Sequence, residues 1–141
     1  MTKTRALAAL LCLIGMPLIF AWAADAPPKR VSPADAKAHV GENAIVCGKV
    51  VDTKSLYNSV SGFGTPIYFD LDQPEPNPVF YFIVFGPQVA ATQPAEMQKT
   101  IDTYKGKRVC VTGKINSSPD GVAFILANNR SSIKVDTTAK Q

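Results

Sequence analysis

The sequence is poor in the side chains that most often build catalytic and metal centres. Its 141 residues include one histidine, three cysteines and one tryptophan. It contains no Cys-x-x-Cys pair, no serine or cysteine with an evident partner base, and no glycine-rich phosphate loop. Zinc clusters and nucleophile–base–acid triads need such residues in close sets. The sequence therefore predicts no enzyme, no metal site and no cofactor, and it favours a binding protein.

The few residues that come nearest to such sites have simpler interpretations. His39 falls in the last turn of a predicted helix, where a cation suits the helix dipole. Asp70, Asp72 and Glu75 could suggest calcium, but prolines interrupt them and their spacing differs from that of an established calcium loop. We therefore interpret these acids as solvated surface groups.

The sequence also lacks an apolar run long enough to be a clear membrane span. Lys3 and Arg5 precede an uncharged apolar run at 6–20, and Ala-Trp-Ala follows at 21–23. A positive start, a short apolar run and small residues at its end are typical of a secretory signal peptide. A membrane anchor, the alternative, needs roughly 20 apolar residues. The sequence predicts a signal peptide at 1–23 and a soluble product that is secreted or periplasmic.

Removal of the signal peptide changes both the charge and the cysteine count. Two of the 15 basic residues leave with it, so 13 remain against 11 acidic residues and the net charge falls from +4 to +2. This balance does not indicate a strongly basic binding surface. Cys12 leaves as well, so Cys47 and Cys110 remain. An even number of cysteines in an exported chain is typical of a structural disulfide.

The mature chain is predicted to be a small barrel. The chain begins with a polar lead-in at 24–31 and a short helix at 32–41. Strands are predicted at 44–51, 66–71, 79–86, 108–115 and 122–127, with a helix at 93–104 between the third and the fourth. The pattern also allows a further short strand at 132–135. Five short strands with one helix between the third and fourth predict an all-β, OB-type Greek-key barrel. The predicted domain covers 32–135, and 136–141 is predicted to be a mobile tail.

Two of these strands have similar sequences, IVCGKVV at 45–51 and VCVTGKI at 109–115. The first and fourth strands of an OB barrel are antiparallel neighbours, and alternation places both cysteines on the outer side. Cross-strand neighbours lie within reach of a disulfide. The sequence therefore predicts a Cys47–Cys110 bond, with a reactive thiol pair or a metal site as the alternative. The inward glycines of both strands suit tight bending.

Several of these segments resemble small OB-fold domains of exported bacterial proteins. The resemblance rests on SPADAKAHVGENAIVCGKVV, VFYFIVFG, YKGKRVCVTGKI and the final apolar strand, and it spans roughly 32–135. Proteins of this kind are described as nucleic-acid-binding-like. The resemblance implies the barrel, together with weak, sequence-tolerant binding of single-stranded nucleic acid.

OB barrels usually bind ligands on the outer face of their second and third strands, beside the 1–2 and 4–5 loops. Aromatic rings stack on bases and lysines meet phosphates, which is how single strands are bound without sequence preference. The candidate ligand-binding residues near this face are Lys49, Lys54, Tyr57, Phe63, Tyr68, Tyr81, Ile83, Phe85 and Lys114.

Two alternatives remain open for this face. Asp52, Asp70 and Asp72 lie close to it and would repel phosphate, so its ligand is alternatively an envelope protein or an oligosaccharide. In the other alternative the strand-three side chains are covered and form a satellite core.

Overall fold

The computed structural model describes residues 27–55, 64–85 and 94–137. The predicted signal peptide, the candidate residues Tyr57 and Phe63, and the end of the predicted tail lie outside the described residues. Within them the strands and the helix are β1 (Lys29–Val31), β2 (Asn43–Ser55), β3 (Pro66–Leu71), β4 (Phe80–Phe85), α1 (Pro94–Tyr104), β5 (Arg108–Ser117), β6 (Ala123–Leu126) and β7 (Ile133–Val135). No helix in these ranges is long and apolar enough to cross a bilayer.

Five of the strands close into a barrel, in the order β2-β3-β4-β6-β5, with β5 pairing back onto β2. All of these pairs are antiparallel except β4–β6, which is parallel. β1 adds to β2 in parallel, and β7 adds to the other side of β5. The protein is thus an all-β, OB-type barrel, as predicted, whose first to fifth barrel strands are β2, β3, β4, β5 and β6.

The barrel interior follows the alternation expected from the sequence. Phe69 and Phe82 stack with ring centroids 4.8 Å apart and planes 7° from parallel, and Tyr104 at the end of α1 meets both rings edge-on. The large apolar side chains that are almost fully withdrawn from solvent are Val46, Val50, Ile67, Phe69, Leu71, Phe80, Phe82, Val109, Val111, Ile115 and Ile125. Every one of them points inward, so the core fixes the register of all five barrel strands.

β2 is longer than predicted and contains a β-bulge that the sequence did not reveal. The predicted strand ends at 51, whereas β2 continues to Ser55. Val50 opposes Leu71 but Asp52 opposes Asp70, so Val51 is the extra residue. Strict alternation from the inward Val50 would aim Asp52 into the barrel, and the bulge turns it outward instead. Lys54, predicted in a loop, therefore lies on a strand and faces the same outer side.

The ends of the domain differ in detail from the predicted boundaries. The segment 32–41 contains only a short 3₁₀ helix at Ala36–His39, because Val40 is already extended and the N–H of Gly41 donates to the carbonyl of Ile115 at 2.8 Å. Part of the lead-in forms β1, whose Val31 is buried. The start of the predicted tail is also held, since Asp136 lies 3.5 Å from the Arg108 guanidinium and its N–H donates to the Arg108 carbonyl.

The disulfide prediction is confirmed. Cys47 and Cys110 are direct cross-strand partners and form a disulfide on the outer side of β2 and β5. Gly48 and Gly113, the glycines that follow the two cysteines, lie so close to neighbouring side chains that a larger residue would collide with them. A Cβ at Gly48 would lie 2.8 Å from Cγ of Pro33, and one at Gly113 would lie 2.7 Å from Cγ2 of Ile125. Neighbouring side chains thus occupy the space that a larger residue would need.

Candidate functional site

A pocket of about 390 Å³ lies on the outer face of β3 and β4. Its walls come from the end of β2, the two paired strands, the connection between them, and the turn from β5 to β6. The lining residues are Lys54, Tyr68, Asp70, Glu75, Pro76, Pro78, Tyr81, Ser118, Asp120 and Val122. The pocket therefore occupies the face and the 4–5 turn at which OB barrels commonly hold ligands.

Three rings form an aromatic row across β3, β4 and β6. Tyr68 and Tyr81 have centroids 5.7 Å apart with planes tilted by 55°. Tyr81 and Phe124 are direct neighbours on the parallel strands and stack with centroids 5.2 Å apart and planes 2° from parallel. All three rings are only half-buried. The row gives the face a broad apolar surface that remains accessible to a ligand.

The charged groups of the pocket are mainly acidic. Asp70, Glu75 and Asp120 contribute carboxylates to the lining, against the amine of Lys54. Asp70 is 6% exposed, although it points away from the barrel core. Burial, together with the carboxylates of Glu75 and Asp52, raises the pKa of Asp70 to about 6, against the opposing effects of a backbone hydrogen bond from Glu75 and of Lys54. The pocket thus disfavours further negative charge.

Tyr81 supplies the pocket with a neutral hydroxyl. Burial raises the pKa of its phenol above the ordinary value, and the nearby Tyr68, Asp120 and Asp70 act in the same direction. A hydrogen bond with the Ser118 side chain acts in the opposite direction. The phenol remains protonated at neutral pH, so it can both donate and accept a hydrogen bond.

The two connections that flank the pocket are held by their own hydrogen bonds. Asp72 begins the β3–β4 connection with a φ of 63°; its carboxylate accepts from the Lys49 N–H at 2.8 Å and its own N–H donates to the Lys49 carbonyl at 2.9 Å. In the β5–β6 turn, Ser118 and Val122 exchange two hydrogen bonds, and Gly121 has a φ of 78°. The pocket walls are therefore positioned before any ligand arrives.

The structure gathers only part of the predicted residue set. Of the candidate residues, Lys54, Tyr68 and Tyr81 lie together in the pocket lining. Ile83 shares their outward direction but is only 7% exposed and does not line the pocket, which matches the satellite-core alternative at this position. Its neighbours across the sheet are Tyr68 and Leu126.

The remaining predicted residues lie elsewhere. Phe85 is half-buried at the end of β4 and is not part of the pocket lining. Lys49 and Lys114 are exposed, Lys49 opposite Arg108 and Lys114 opposite Asn43, and neither lines the pocket. They lie apart from the pocket because they project from the β2–β5 seam rather than from β3 and β4.

Sequence reasoning missed the residues that the connections and β6 contribute. Phe124 was detectable in part: Ala123 and Ile125 point inward, so Phe124 between them must point outward. Its contact with Tyr81 depends on the parallel register of β4 and β6, which no local pattern reveals. Glu75, Pro76, Ser118 and Asp120 lie on turns, whose positions depend on the folded barrel.

Comparison with known proteins leaves the family undefined. No protein-family model and no curated protein sequence matches the chain. In a comparison with solved structures, 14 chains match this chain. One belongs to a provisionally assigned aspartyl-tRNA synthetase from Leishmania major Friedlin, with 10% identity and a TM-score of 0.36 over 84% of this chain. This chain corresponds to only 21% of that protein's length, and a likeness of this size carries no argument about function.

Proposed function

We propose that the chain is an exported, non-enzymatic binding module that holds part of a protein or an oligosaccharide in the outer pocket. The observation that carries this proposal is the composition of the pocket, which combines half-buried tyrosine rings with three carboxylates and one amine. Aromatic rings offer flat apolar contact to a side chain or a sugar ring, and carboxylates accept hydrogen bonds from N–H or O–H groups. A disulfide and the predicted signal peptide support an oxidising compartment outside the cytosol.

The electrostatics favour a neutral or positively charged ligand over a phosphate. A ligand placed between Asp70, Glu75 and Asp120 meets more negative than positive charge, and burial of Asp70 strengthens that field. Lys49 and Lys114, which could have balanced the acids, do not line the pocket. The pocket therefore suits a protein or sugar partner better than a nucleic-acid backbone.

Single-stranded nucleic acid is the second candidate, supported by the aromatic row of Tyr68, Tyr81 and Phe124. Stacking of one base on a protein ring contributes about 1–3 kcal/mol. Such a ligand would have to place its bases on the rings while its phosphates avoid the three carboxylates. The resemblance to nucleic-acid-binding-like exported domains points to the same candidate.

The experiment that separates the candidates compares the oxidised protein on three probes. These are a short oligo(dT), an array of neutral oligosaccharides and a peptide array, each measured with wild type and with Tyr81→Ala. We expect no binding of oligo(dT) in low salt, and sugar or peptide binding that Tyr81→Ala abolishes. Val135→Ala is the control, because Val135 is an exposed apolar residue of β7 that does not line the pocket.

A double variant, Glu75→Gln with Asp120→Asn, tests the electrostatic reason. Both side chains are exposed, so neither substitution should affect folding. If the carboxylates exclude phosphate, this variant should bind oligo(dT) more tightly than wild type does. Salt-sensitive oligo(dT) binding by the wild type, lost in Tyr81→Ala, would overturn the proposal and establish the nucleic-acid candidate.

A further inference from the structure

We infer that the outer pocket takes a positively charged group, and that this group is an arginine side chain of a protein partner. The inference rests on the proposed function and narrows it from a protein or sugar to one chemical class. It starts from Asp70, whose carboxylate lines the pocket while being 6% exposed.

Asp70 is a buried carboxylate with little opposing charge around it. An ionised carboxylate can accept about four hydrogen bonds. Among the described residues, the groups that favour its charged form are the Glu75 backbone and Lys54. The other nearby acids, Asp52 and Glu75, oppose its charge, and Lys54 compensates only in part. A donor that enters the pocket with a positive charge would supply what Asp70 lacks.

The walls of the pocket suit a flat cation in particular. The rings of Tyr68 and Tyr81 both line the pocket, with centroids 5.7 Å apart and planes tilted by 55°. Glu75 and Asp120 add carboxylates from the two flanking connections. A guanidinium stacks on aromatic faces and forms paired hydrogen bonds to carboxylates, which a compact ammonium does less well. An arginine therefore uses both the rings and the acids of this pocket.

This arrangement makes binding depend on pH. The charged and titratable groups that face Asp70 are Asp52 and Lys54 on β2, Glu75 on the β3–β4 connection, Tyr81 on β4 and Asp120 on the β5–β6 turn. Protonation of Asp70 removes the charge that the cation would meet. Because the pKa of Asp70 is about 6, affinity should fall by up to about tenfold between pH 7.5 and pH 5.

The test is a titration of the ¹⁵N-labelled, oxidised protein with two matched peptides, acetyl-Gly-Arg-Gly-amide and acetyl-Gly-citrulline-Gly-amide. Citrulline has almost the shape of arginine but no charge. We expect the arginine peptide to shift the amide signals of the pocket residues and to bind at least about tenfold more tightly than the citrulline peptide. The dependence on pH should appear for the arginine peptide alone.

Protein variants locate the effect. Glu75→Gln and Asp120→Asn should each weaken the arginine peptide about twofold to fivefold, as expected for exposed charges. Asp70→Asn should weaken it by about tenfold or more, because the hydrogen bond to a buried charge is lost. Asp102→Asn, on the exposed side of α1, is the matched control and should change nothing. Thermal melting of each variant confirms that it is folded.

Three results would overturn the inference, and the first two leave the proposed function standing. Equal affinity for the arginine and citrulline peptides would show that the pocket does not select a positive charge, although it still binds protein. If neither peptide binds but a neutral sugar binds at the same residues, the arginine inference is refuted and the oligosaccharide candidate is supported. Binding of oligo(dT) at these residues would remove both the inference and the proposed function.

Discussion

The two faces of the barrel wall around β4 each carry a stacked aromatic pair, in very different surroundings. On the inside, Phe69 and Phe82 stack at 4.8 Å, are fully buried and meet the ring of Tyr104 edge-on. On the outside, Tyr81 and Phe124 stack at 5.2 Å and are half-buried, and Tyr81 lines a pocket with three carboxylates. The geometry of the pairs is similar, and their chemical setting is not.

This difference indicates that the inner face of the wall stabilises the fold, whereas the outer face remains accessible to solvent and to a ligand. The inner pair contributes to stability, since each ring is removed from water and closely packed. The outer pair keeps part of its surface in water, and a hydroxyl and charged groups stand beside it. Tyr81 and Phe82 are adjacent in the chain, so substitutions at these two positions compare the faces directly.

The largest effect is expected on the inside. Phe82→Ala should lower the free energy of unfolding by about 3–5 kcal/mol, because it removes a fully buried ring and leaves a cavity next to Phe69. Urea unfolding of the oxidised protein measures this loss. A cost of less than about 1 kcal/mol would mean that the interior does not depend on this stack, and the comparison between the faces would lose its meaning.

The second-largest effect is expected at the disulfide, through which the outer side of β2 and β5 also stabilises the barrel. Replacing Cys47 and Cys110 together by alanine should cost about 2–4 kcal/mol, since the bond closes a long loop between residues 63 apart in sequence. Unfolding of the double variant beside oxidised wild type measures the cost. Equal stability of the two proteins would show that hydrogen bonding between β2 and β5 holds the seam without the disulfide.

The third effect has the opposite sign. Asp70→Asn should raise the free energy of unfolding by up to about 3 kcal/mol at pH 7, because the folded state raises the pKa of Asp70 from 3.8 to about 6. A carboxyl whose pKa is raised on folding binds its proton more tightly when folded, so its charge destabilises the folded state above about pH 6. Below about pH 4 the gain should disappear.

Unfolding curves of wild type and Asp70→Asn at pH 4 and pH 7 test this prediction. An identical difference at the two pH values would show that the effect does not come from ionisation of Asp70. Loss of stability at pH 7 would show that the ionised carboxylate is satisfied in the folded protein. Either result would remove the electrostatic contrast between the two faces.

How much the sequence could predict also differs between the faces. Alternation along short strands predicted the inward residues, the OB-type barrel and the pairing of Cys47 with Cys110, because each depends on local periodicity and one general strand order. The outer pocket depends on the bulge at Val51 and on the parallel register that joins Tyr81 to Phe124. Those features follow from contacts between distant segments. The sequence consequently placed Lys49 and Lys114 in the site and left out Glu75 and Asp120.

The smallest effect is expected outside, at Tyr81. Tyr81→Ala loses one stacked contact and part of a half-buried ring, so it should cost about 1 kcal/mol of stability. Its effect on ligand binding should be large by comparison. This separation of stability from binding is the central claim for the outer face.

The most direct test of that claim is to measure the free energies of unfolding of Tyr81→Ala and Phe82→Ala side by side, in the oxidised protein at pH 7. The two residues are neighbours on β4 and differ mainly in which face they occupy. We predict that Phe82→Ala costs at least about 2 kcal/mol more than Tyr81→Ala. Equal losses would contradict the account, because the outer ring would then be a packed part of the structure and not a surface presented to a ligand.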